Sequence, residues 1–278
     1  MMKDVVLLTG AGQIGMAIAR RVGAGKKIIV ADVKVENANE IAEILVEAGF
    51  DAEPVVVNIA SKEAIKNLIA EAQQYGEIEM LINAAGVSPS QASIEAILQV
   101  DLYGTAVLLE EVGKVIKPNG VGVTISSQSG HRMPALGAEI DEQLAMTPTE
   151  QLLELDILQP YNIQDTLQAY QMAKRCNVKR VMVEAVKWGE KKARVNSISP
   201  GIIVTPLAID EFNGPRGDFY KKMFANSPAG RPGTADEVAD VAELLMSSRG
   251  SFITGADFLI DGGATASYFY GPLNPENN

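Results

Sequence analysis

The sequence of 278 residues contains one cysteine, Cys176, and one histidine, His131. A single cysteine cannot form an intramolecular disulfide, and this pair cannot build the usual His/Cys zinc clusters. We therefore expect no metal site and a reducing compartment, for which the cytoplasm is the simplest choice. We expect Cys176 to pack as a small hydrophobe, and His131 to lie in a solvated loop, with a substrate contact as its alternative.

Long apolar runs and an excess of basic residues are also missing. No stretch reaches the ~18 apolar residues of a membrane span, and the N-terminus runs straight into a strand-like segment without the pattern of a signal peptide. The net charge is −11. An acidic surface disfavours nucleic acid and anionic membranes as partners, because both need a basic footprint. With 47% hydrophobic residues the chain still has material for a sizeable core.

Short apolar segments alternate with segments of helical periodicity. The predicted strands are 5–8, 28–31, 54–57, 80–82, 121–125, 194–198 and 258–260, and the predicted helices are about 16–22, 38–48, 61–75, 97–116, 170–188 and 234–246. This alternation predicts βαβ units and one α/β domain over 1–278, with a doubly wound, mostly parallel sheet. Three parts stand outside it: an inserted helical segment at 131–163, a long loop at 206–228 and an aromatic tail at 264–278.

Gly10-x-Gly12-x-x-Gly15 follows the first strand and opens the first helix. In that context the glycines allow a tight turn and let the backbone approach a pyrophosphate at the helix N-terminus. Asp32 ends the second strand, where a carboxylate can bind both ribose hydroxyls and repel a 2′-phosphate. These features predict a Rossmann-like fold that binds NAD rather than NADP, although Lys34 softens the discrimination. The alternatives are a glycine-rich turn that binds nothing and a turn residue at position 32.

Tyr170 and Lys174 are four residues apart in a predicted helix, so both side chains lie on one face. An ammonium beside a phenol favours the phenolate and suits the phenol to acid/base catalysis. The same spacing occurs by chance on solvated helices, so its weight depends on the motifs around it.

Together, these segments resemble the short-chain dehydrogenase/reductase family over nearly the whole chain. The resemblance rests on Thr9-Gly10…Gly15, Asn83-Ala84-Ala85-Gly86, Ile125-Ser126-Ser127, Tyr170-x-x-x-Lys174, Arg194-Val195-Asn196-Ser197-Ile198-Ser199-Pro200-Gly201 and Ile260-Asp261-Gly262-Gly263. It implies an NAD(H)-dependent oxidoreductase that interconverts a secondary alcohol and a ketone. Tyr170 would be the general acid/base, Lys174 its charged neighbour, and Ser127 the substrate-binding hydroxyl, with Ser126 as the competing serine.

The resemblance also implies a set of cofactor-binding residues. They are Gly10, Gly12, Gln13, Ile14, Gly15, Asp32, Asn58, Ile59, Asn83, Ala84, Gly86, Tyr170, Lys174, Pro200, Ile203 and Thr205. Asn83, Ala84 and Gly86 would line the adenosine and ribose side, and Ile203 and Thr205 would contact the nicotinamide carboxamide. The loop at 206–228 would then be a mobile substrate lid.

Four features depart from the family pattern. The glycine loop is one residue short, Asn58 stands where an Asp often contacts the adenine amine, and Asp101 stands where an Asn usually joins the proton relay. The fourth is the insertion between Ser127 and Tyr170. An amide oxygen at Asn58 can do the same work, whereas a carboxylate at Asp101 changes the charge around Lys174.

The insertion and the short segment 86–101 resemble the bacterial 3α-hydroxysteroid dehydrogenase/carbonyl reductase branch. This second resemblance implies a hydroxysteroid or bile acid as substrate. The alternatives are a sugar, polyol or 3-oxoacyl reductase, and a non-catalytic dinucleotide-binding sensor. The insertion would roof an apolar substrate, form a dimer contact, or block the helix interface of tetrameric relatives. We expect a homodimer or homotetramer, with the aromatic tail on the substrate pocket or on a neighbouring subunit.

Overall fold

A computed structural model describes residues 3–214 and 217–277. Its seven strands form one parallel sheet in the order β3-β2-β1-β4-β5-β6-β7. The strands are β1 Val5–Thr9, β2 Lys27–Asp32, β3 Asp51–Val56, β4 Ile78–Asn83, β5 Val121–Ile125, β6 Arg194–Pro200 and β7 Asp257–Ile260. Parallel neighbours require crossover connections, which place helices on both faces. The predicted single Rossmann-like domain is confirmed.

The helices connect these strands. They are α1 Gln13–Val22, α2 Val35–Glu47, α3 Lys62–Gln73, α4 Ile94–Ile97, α5 Thr105–Val115, α6 Gln128–His131, α7 Ala138–Met146, α8 Thr166–Gly189, α9 Pro206–Asn213, α10 Gly217–Ala225, α11 Ala235–Met246 and α12 Ala264–Tyr270. Helices α1 and α2 begin one turn before the predicted starts, because their first turns carry polar residues that break the apolar periodicity. Ser61 caps α3, because its side chain accepts a hydrogen bond from the Ala64 N–H.

Successive residues of β1 serve opposite faces of the sheet. Val5 and Leu7 belong to a core cluster shared with α3, α5 and α8, whereas Val6 and Leu8 belong to one shared with α1, α2 and α11. All four are fully buried. Burial on both faces explains why this strand reads as an unbroken apolar run rather than as an alternating one.

The strand register brings the motifs together at one edge of the sheet. Thr9 pairs with Ala31 on β2 and with Asn83 on β4. The residues that follow, including Gly10 and Asp32, therefore meet at the carboxyl ends of adjacent strands. Ligands of open parallel sheets bind at that edge.

Trp188 anchors α8 to the core. Its side chain is fully buried, and its Nε1 donates a hydrogen bond to the Leu109 carbonyl at 3.1 Å. Two glycines leave room for the indole, because a Cβ at Gly113 would lie 2.4 Å from Nε1 and one at Gly122 would lie 2.9 Å from Cη2. This packing fixes the helix that carries Tyr170 and Lys174.

The predicted helix at 97–116 is present, but part of it is not α-helical. After α4 the chain forms a π-helical segment, Leu98–Gly104, and only then continues as α5. A Cβ at Gly104 would lie 2.5 Å from the Ile59 carbonyl oxygen, so the helix passes close to the turn after β3. Asp101, in the middle of the π segment, is completely buried. π turns of this kind occur frequently at functional sites.

The inserted segment packs onto α8. It consists of α7 followed by short 3₁₀ turns, and its buried Leu144, Leu152 and Leu158 form a cluster with apolar residues of α8. The Arg175 guanidinium of α8 donates two 2.7 Å hydrogen bonds to the Asp141 carboxylate of α7. Cys176 lies in this cluster, and burial raises the pKa of its thiol to about 11, as expected of a packed, unreactive cysteine.

The segment predicted as a lid loop is largely helical. Helices α9 and α10 occupy it, and its Pro215 and Arg216 lie outside the described residues. The aromatic tail begins with α12. Within 3–214 and 217–277, no helix is both long and apolar enough to cross a membrane.

Candidate active site

The three glycines of the first loop have different roles. Gly10 has a φ of +84°, and a Cβ there would lie 2.4 Å from the Ala85 nitrogen. A Cβ at Gly15 would lie 2.7 Å from Leu8 Cδ1. Gly12 differs, because nothing lies within 4 Å of a Cβ built on it. Two glycines therefore permit packing and a turn, while Gly12 borders open space in front of α1.

That open space meets the N-terminus of α1. Gly12 is the N-cap residue, and no side chain among the described residues caps the helix. The first N–H groups of an α-helix lack intrahelical partners and favour an anion. The loop and the first helical residues, Gln13 and Ile14, thus fit the pyrophosphate of a dinucleotide.

Asp32 joins the glycine loop to the β2–α2 turn. One carboxylate oxygen accepts a 2.8 Å hydrogen bond from the Ala11 N–H, and the other accepts a 2.9 Å bond from the Lys34 N–H. The oxygen bound to Lys34 also accepts a 3.5 Å hydrogen bond from the Asn37 side-chain amide, so the oxygen bound to Ala11 is the one that keeps a lone pair for a ribose hydroxyl. The adjoining Val33 is 61% exposed, an apolar surface beside Asp32 that the sequence analysis missed. The sequence could not show this exposure, because Val33 continues the apolar pattern of a buried strand.

On the predicted adenosine side, several side chains are already engaged. The Asn83 amide accepts from Thr9 Oγ1 at 2.9 Å and donates to Thr105 Oγ1 at 3.3 Å, and it is buried. Its side chain ties β1 and β4 to α5, so the amide is not free for a cofactor. Asn58 is exposed, but its amide oxygen accepts a hydrogen bond from the Ala60 N–H.

The residues predicted on the nicotinamide side lie at the end of β6 and just after it, and they too are partly buried or hydrogen-bonded within the protein. Pro200 is buried at the end of β6, and Ile203 is 9% exposed. Thr205 Oγ1 accepts a hydrogen bond from the Ala208 N–H, so it begins α9. Ile59, predicted near the adenosine, has its side chain in the core. For Ile59, any cofactor contact is restricted to the main chain.

The two serines after β5 make different hydrogen bonds. Ser126 is buried, and its hydroxyl donates a 2.7 Å hydrogen bond to the main-chain carbonyl of Lys174. Ser127 is the N-cap of α6, and its Oγ accepts from the Ser129 N–H at 3.1 Å. The Ser127 O–H therefore stays free as a donor in this contact. This arrangement favours Ser127 over Ser126 as the substrate-binding serine.

Lys174 is 4% exposed and points into the site. Its Nζ lies 5.3 Å from the centre of the Tyr170 ring, 3.4 Å from the Ile125 carbonyl oxygen and 3.8 Å from Asp101 Oδ2. Burial alone would lower the pKa of Lys174, but the negative charges of Asp101 and Tyr170 outweigh burial and raise it. The ammonium is thus held charged beside the phenol.

Only one carboxylate oxygen of Asp101 accepts a hydrogen bond from the described residues. Its Oδ1 accepts a 2.8 Å hydrogen bond from the Val87 N–H, whereas Oδ2 is buried without a hydrogen-bond partner among the described residues. A Cβ at Gly86 would lie 2.9 Å from Asp101 Oδ1 and 3.4 Å from Lys174 Nζ, so only glycine admits the pair. Burial raises the pKa of Asp101, and the Lys174 charge and the Val87 N–H offset this only in part.

The expectation of a solvated loop for His131 is wrong. His131 ends α6, and its Nε2 lies 2.6 Å from Asp257 Oδ2 at the start of β7. The other Asp257 oxygen accepts from the hydroxyls of Ser197 and Ser199. His131 therefore fastens the segment after Ser127 to the far edge of the sheet.

A cavity of about 280 Å³ adjoins the site. It lies between the end of β6, α10 and the start of α12, and its walls include Gln128, Ile203, Met223, Phe224 and Ala264. Ser127, Tyr170 and Lys174 do not line it, whereas Gln128, the residue after Ser127, does. The described ranges hold no group of three or more His, Cys, Asp or Glu side chains placed to bind a metal.

Comparisons with known proteins agree with this architecture. Residues 4–138 match the family model described as short chain dehydrogenase, and residues 139–265 match the one described as enoyl-(acyl carrier protein) reductase. The short-chain dehydrogenase/reductase bsc3 of Alternaria brassicicola is 36% identical over 267 residues, covering 96% of this chain and 97% of that protein. D-threitol dehydrogenase of Mycolicibacterium smegmatis is 31% identical, covering 94% of this chain and 92% of that protein.

A solved short-chain dehydrogenase/reductase from Serratia marcescens superposes with a TM-score of 0.74 at 22% identity, covering 94% of this chain and 98% of that one. The fold and the motifs thus define an oxidoreductase of the class that binds nicotinamide dinucleotides. The chain belongs to the short-chain dehydrogenase/reductase family.

Proposed function

We propose that the protein is an NAD(H)-dependent oxidoreductase that interconverts a secondary alcohol and a ketone. The observation that carries this proposal is the buried Lys174 ammonium beside the Tyr170 ring, with the Ser126-Ser127 pair fastened to the same turn of α8. A buried cation next to a phenol at the ligand-binding edge of the sheet is costly to build. A non-catalytic dinucleotide sensor has no use for it.

The roles of the side chains follow from their chemistry. In alcohol oxidation the Tyr170 phenolate takes the hydroxyl proton, and in ketone reduction the phenol returns it to the same oxygen. The Lys174 charge stabilises the phenolate, and the Ser127 O–H donates to the substrate oxygen as negative charge develops there. A bound nicotinamide supplies the hydride acceptor or donor.

The choice of NAD rests on Asp32. Its carboxylate lies beside the glycine loop, and the oxygen that accepts from the Ala11 N–H keeps a lone pair for a ribose hydroxyl. The 2′-phosphate of NADP would meet a like charge there. Gln13 and Ile14 would hold the pyrophosphate through their main-chain N–H groups at the start of α1, while the Gly12 N–H donates to the Gly10 carbonyl at 2.9 Å.

The substrate class has two candidates. A hydroxysteroid or bile acid follows from the likeness of the insertion to one branch of the family. A polyol is favoured by D-threitol dehydrogenase, a relative of 31% identity. The contacts of the insertion weigh towards the polyol, since Leu144, Leu152 and Leu158 are buried in a core cluster with α8 and with apolar residues of 97–106 instead of forming an open apolar roof.

A substrate panel tests the proposal. Hydroxysteroids, bile acids, polyols, sugars and 3-oxoacyl esters are offered with NAD or NADH, and turnover is followed by nicotinamide absorbance. We expect turnover of one alcohol–ketone class with NAD and weaker turnover with NADP. Tight NADH binding without turnover of any class would favour the sensor instead.

Further expectations belong to this proposal. We propose a cytoplasmic homodimer or homotetramer, and we propose that 206–228 is the substrate lid, because Met223 and Phe224 of α10 line the cavity next to β6. Light scattering measures the oligomeric state. Lid closure is measured by limited proteolysis: the rate of cleavage within 206–228 should fall when NADH and substrate are bound.

A further inference from the structure

Asp101, which is paired with Lys174, is the charged residue of the site that the proposed reaction leaves without a role. The charges of the pair lie 3.8 Å apart in a place where Asp101 is completely buried and Lys174 is 4% exposed. Water screens such a pair weakly, so each charge acts strongly on its neighbours. Tyr170 is one of those neighbours, because its ring centre lies 5.3 Å from Lys174 Nζ.

The surroundings contribute little other charge. Val87 and Ile125 face the pair through a main-chain N–H and a carbonyl, and Gly86 has no side chain. Among the described residues, the ionisable groups that act on the pair are Asp101, Lys174 and Tyr170 themselves. Tyr103, in the same π segment, packs against the core cluster shared with α3 and α5.

We propose that Asp101 is a positioning residue that holds the Lys174 ammonium and partly cancels its charge, and thereby sets the pH range in which Tyr170 exchanges protons with substrate. The proposal rests on the proposed function for its consequence in catalysis. The π segment is what delivers the carboxylate: it buries Asp101, and the Val87 N–H orients Oδ1 so that Oδ2 faces Lys174.

The sign of the effect follows from the charges. An ionised Asp101 makes the potential at Tyr170 less positive, so the phenolate is stabilised less than by Lys174 alone. The carboxylate oxygen lies no more than about 9 Å from the ring centre, since both distances share Lys174 Nζ. At an effective dielectric constant of about 20, unit charges that far apart shift an ionisation by about one pH unit. A neutral residue at 101 should let Tyr170 ionise at lower pH.

The test is a tyrosinate titration by ultraviolet absorbance, which requires no turnover. The Tyr170 signal is the difference between a protein and its Tyr170→Phe counterpart, measured for wild type and for Asp101→Asn. The control is Glu184→Gln, which removes a buried carboxylate on α8. Glu184 is paired with Lys187 at 2.6 Å and lies about 15 Å along the helix from Lys174. If circular dichroism shows that Asp101→Asn is not folded, Asp101→Ser takes its place.

We expect Asp101→Asn to lower the Tyr170 midpoint by about one pH unit, with no resolvable shift for Glu184→Gln. If an alcohol substrate is found, the rate of its oxidation should begin to rise with pH about one unit earlier in Asp101→Asn than in wild type. An unchanged or higher midpoint in Asp101→Asn overturns the inference. An absence of alcohol turnover alongside a lowered midpoint would overturn the proposed function and leave this inference standing.

Discussion

A substitution at Gly12 should change the affinity for NADH without lowering the stability of the fold. Gly12 has a φ of −117°, and nothing lies within 4 Å of a Cβ built on it, so alanine fits without strain in the free protein. Gly12→Ala also lowers the entropy of the unfolded chain, which stabilises proteins by roughly 0.4–1 kcal/mol at compatible positions. We therefore expect unchanged or slightly higher thermal stability.

The same methyl group would occupy the space in front of α1. A dinucleotide whose pyrophosphate approaches this loop would lose contact with main-chain N–H groups. Hydrogen bonds to charged groups contribute about 1.5–3 kcal/mol each, so the loss of one weakens binding by about 10- to 150-fold. We expect the Kd of NADH for Gly12→Ala to rise within this range.

Gly10→Ala is the matched control for this experiment. At Gly10 the positive φ and the 2.4 Å approach to the Ala85 nitrogen should together cost about 2–5 kcal/mol of folding stability. Kd is measured by nicotinamide fluorescence and stability by thermal unfolding. If Gly12→Ala binds NADH as tightly as wild type, the pyrophosphate does not lie on this loop.

Two further substitutions test the cofactor choice and the core. Asp32→Ala should weaken binding of both cofactors, because the Ala11 tie is lost, but should reduce the preference for NADH over NADPH by about tenfold or more; an unchanged ratio of Kd values would mean that Asp32 does not read the ribose. Trp188→Ala should cost about 3–5 kcal/mol in urea unfolding, since it empties a fully buried site between α5, α8 and β5. Trp188→Phe, which keeps much of the apolar area, should cost clearly less.

Much of the fold was predictable because its signals are local. The buried parallel strands read as short apolar runs, and β5 was predicted with its observed bounds. Caps are local too, since Thr234 and Glu237, three residues apart, form a capping box at the start of α11. Helix starts were less accurate, because a polar first turn looks like loop.

What could not be predicted depends on contacts between distant residues. The π segment needs the close approach of Gly104 to Ile59 and the Val87 N–H beside Asp101, and neither leaves a period in the sequence. The pairing of His131 with Asp257 spans 126 positions.

The same limit applies within the candidate site. Ser126 and Asn83 carry polar side chains next to predicted functional residues, yet both are occupied by bonds to partners far along the chain. Sequence motifs identified which positions gather at the edge of the sheet. They did not show which side chains there remain free.

The central claim is that Tyr170 transfers the substrate proton. The direct measurement compares wild type with Tyr170→Phe, which removes the phenolic oxygen and keeps the ring, for both turnover of an accepted alcohol and the Kd of NADH. Loss of general acid/base catalysis should lower kcat by at least about 100-fold, while NADH binding changes little. Turnover by Tyr170→Phe within a few-fold of wild type would contradict the proposed mechanism.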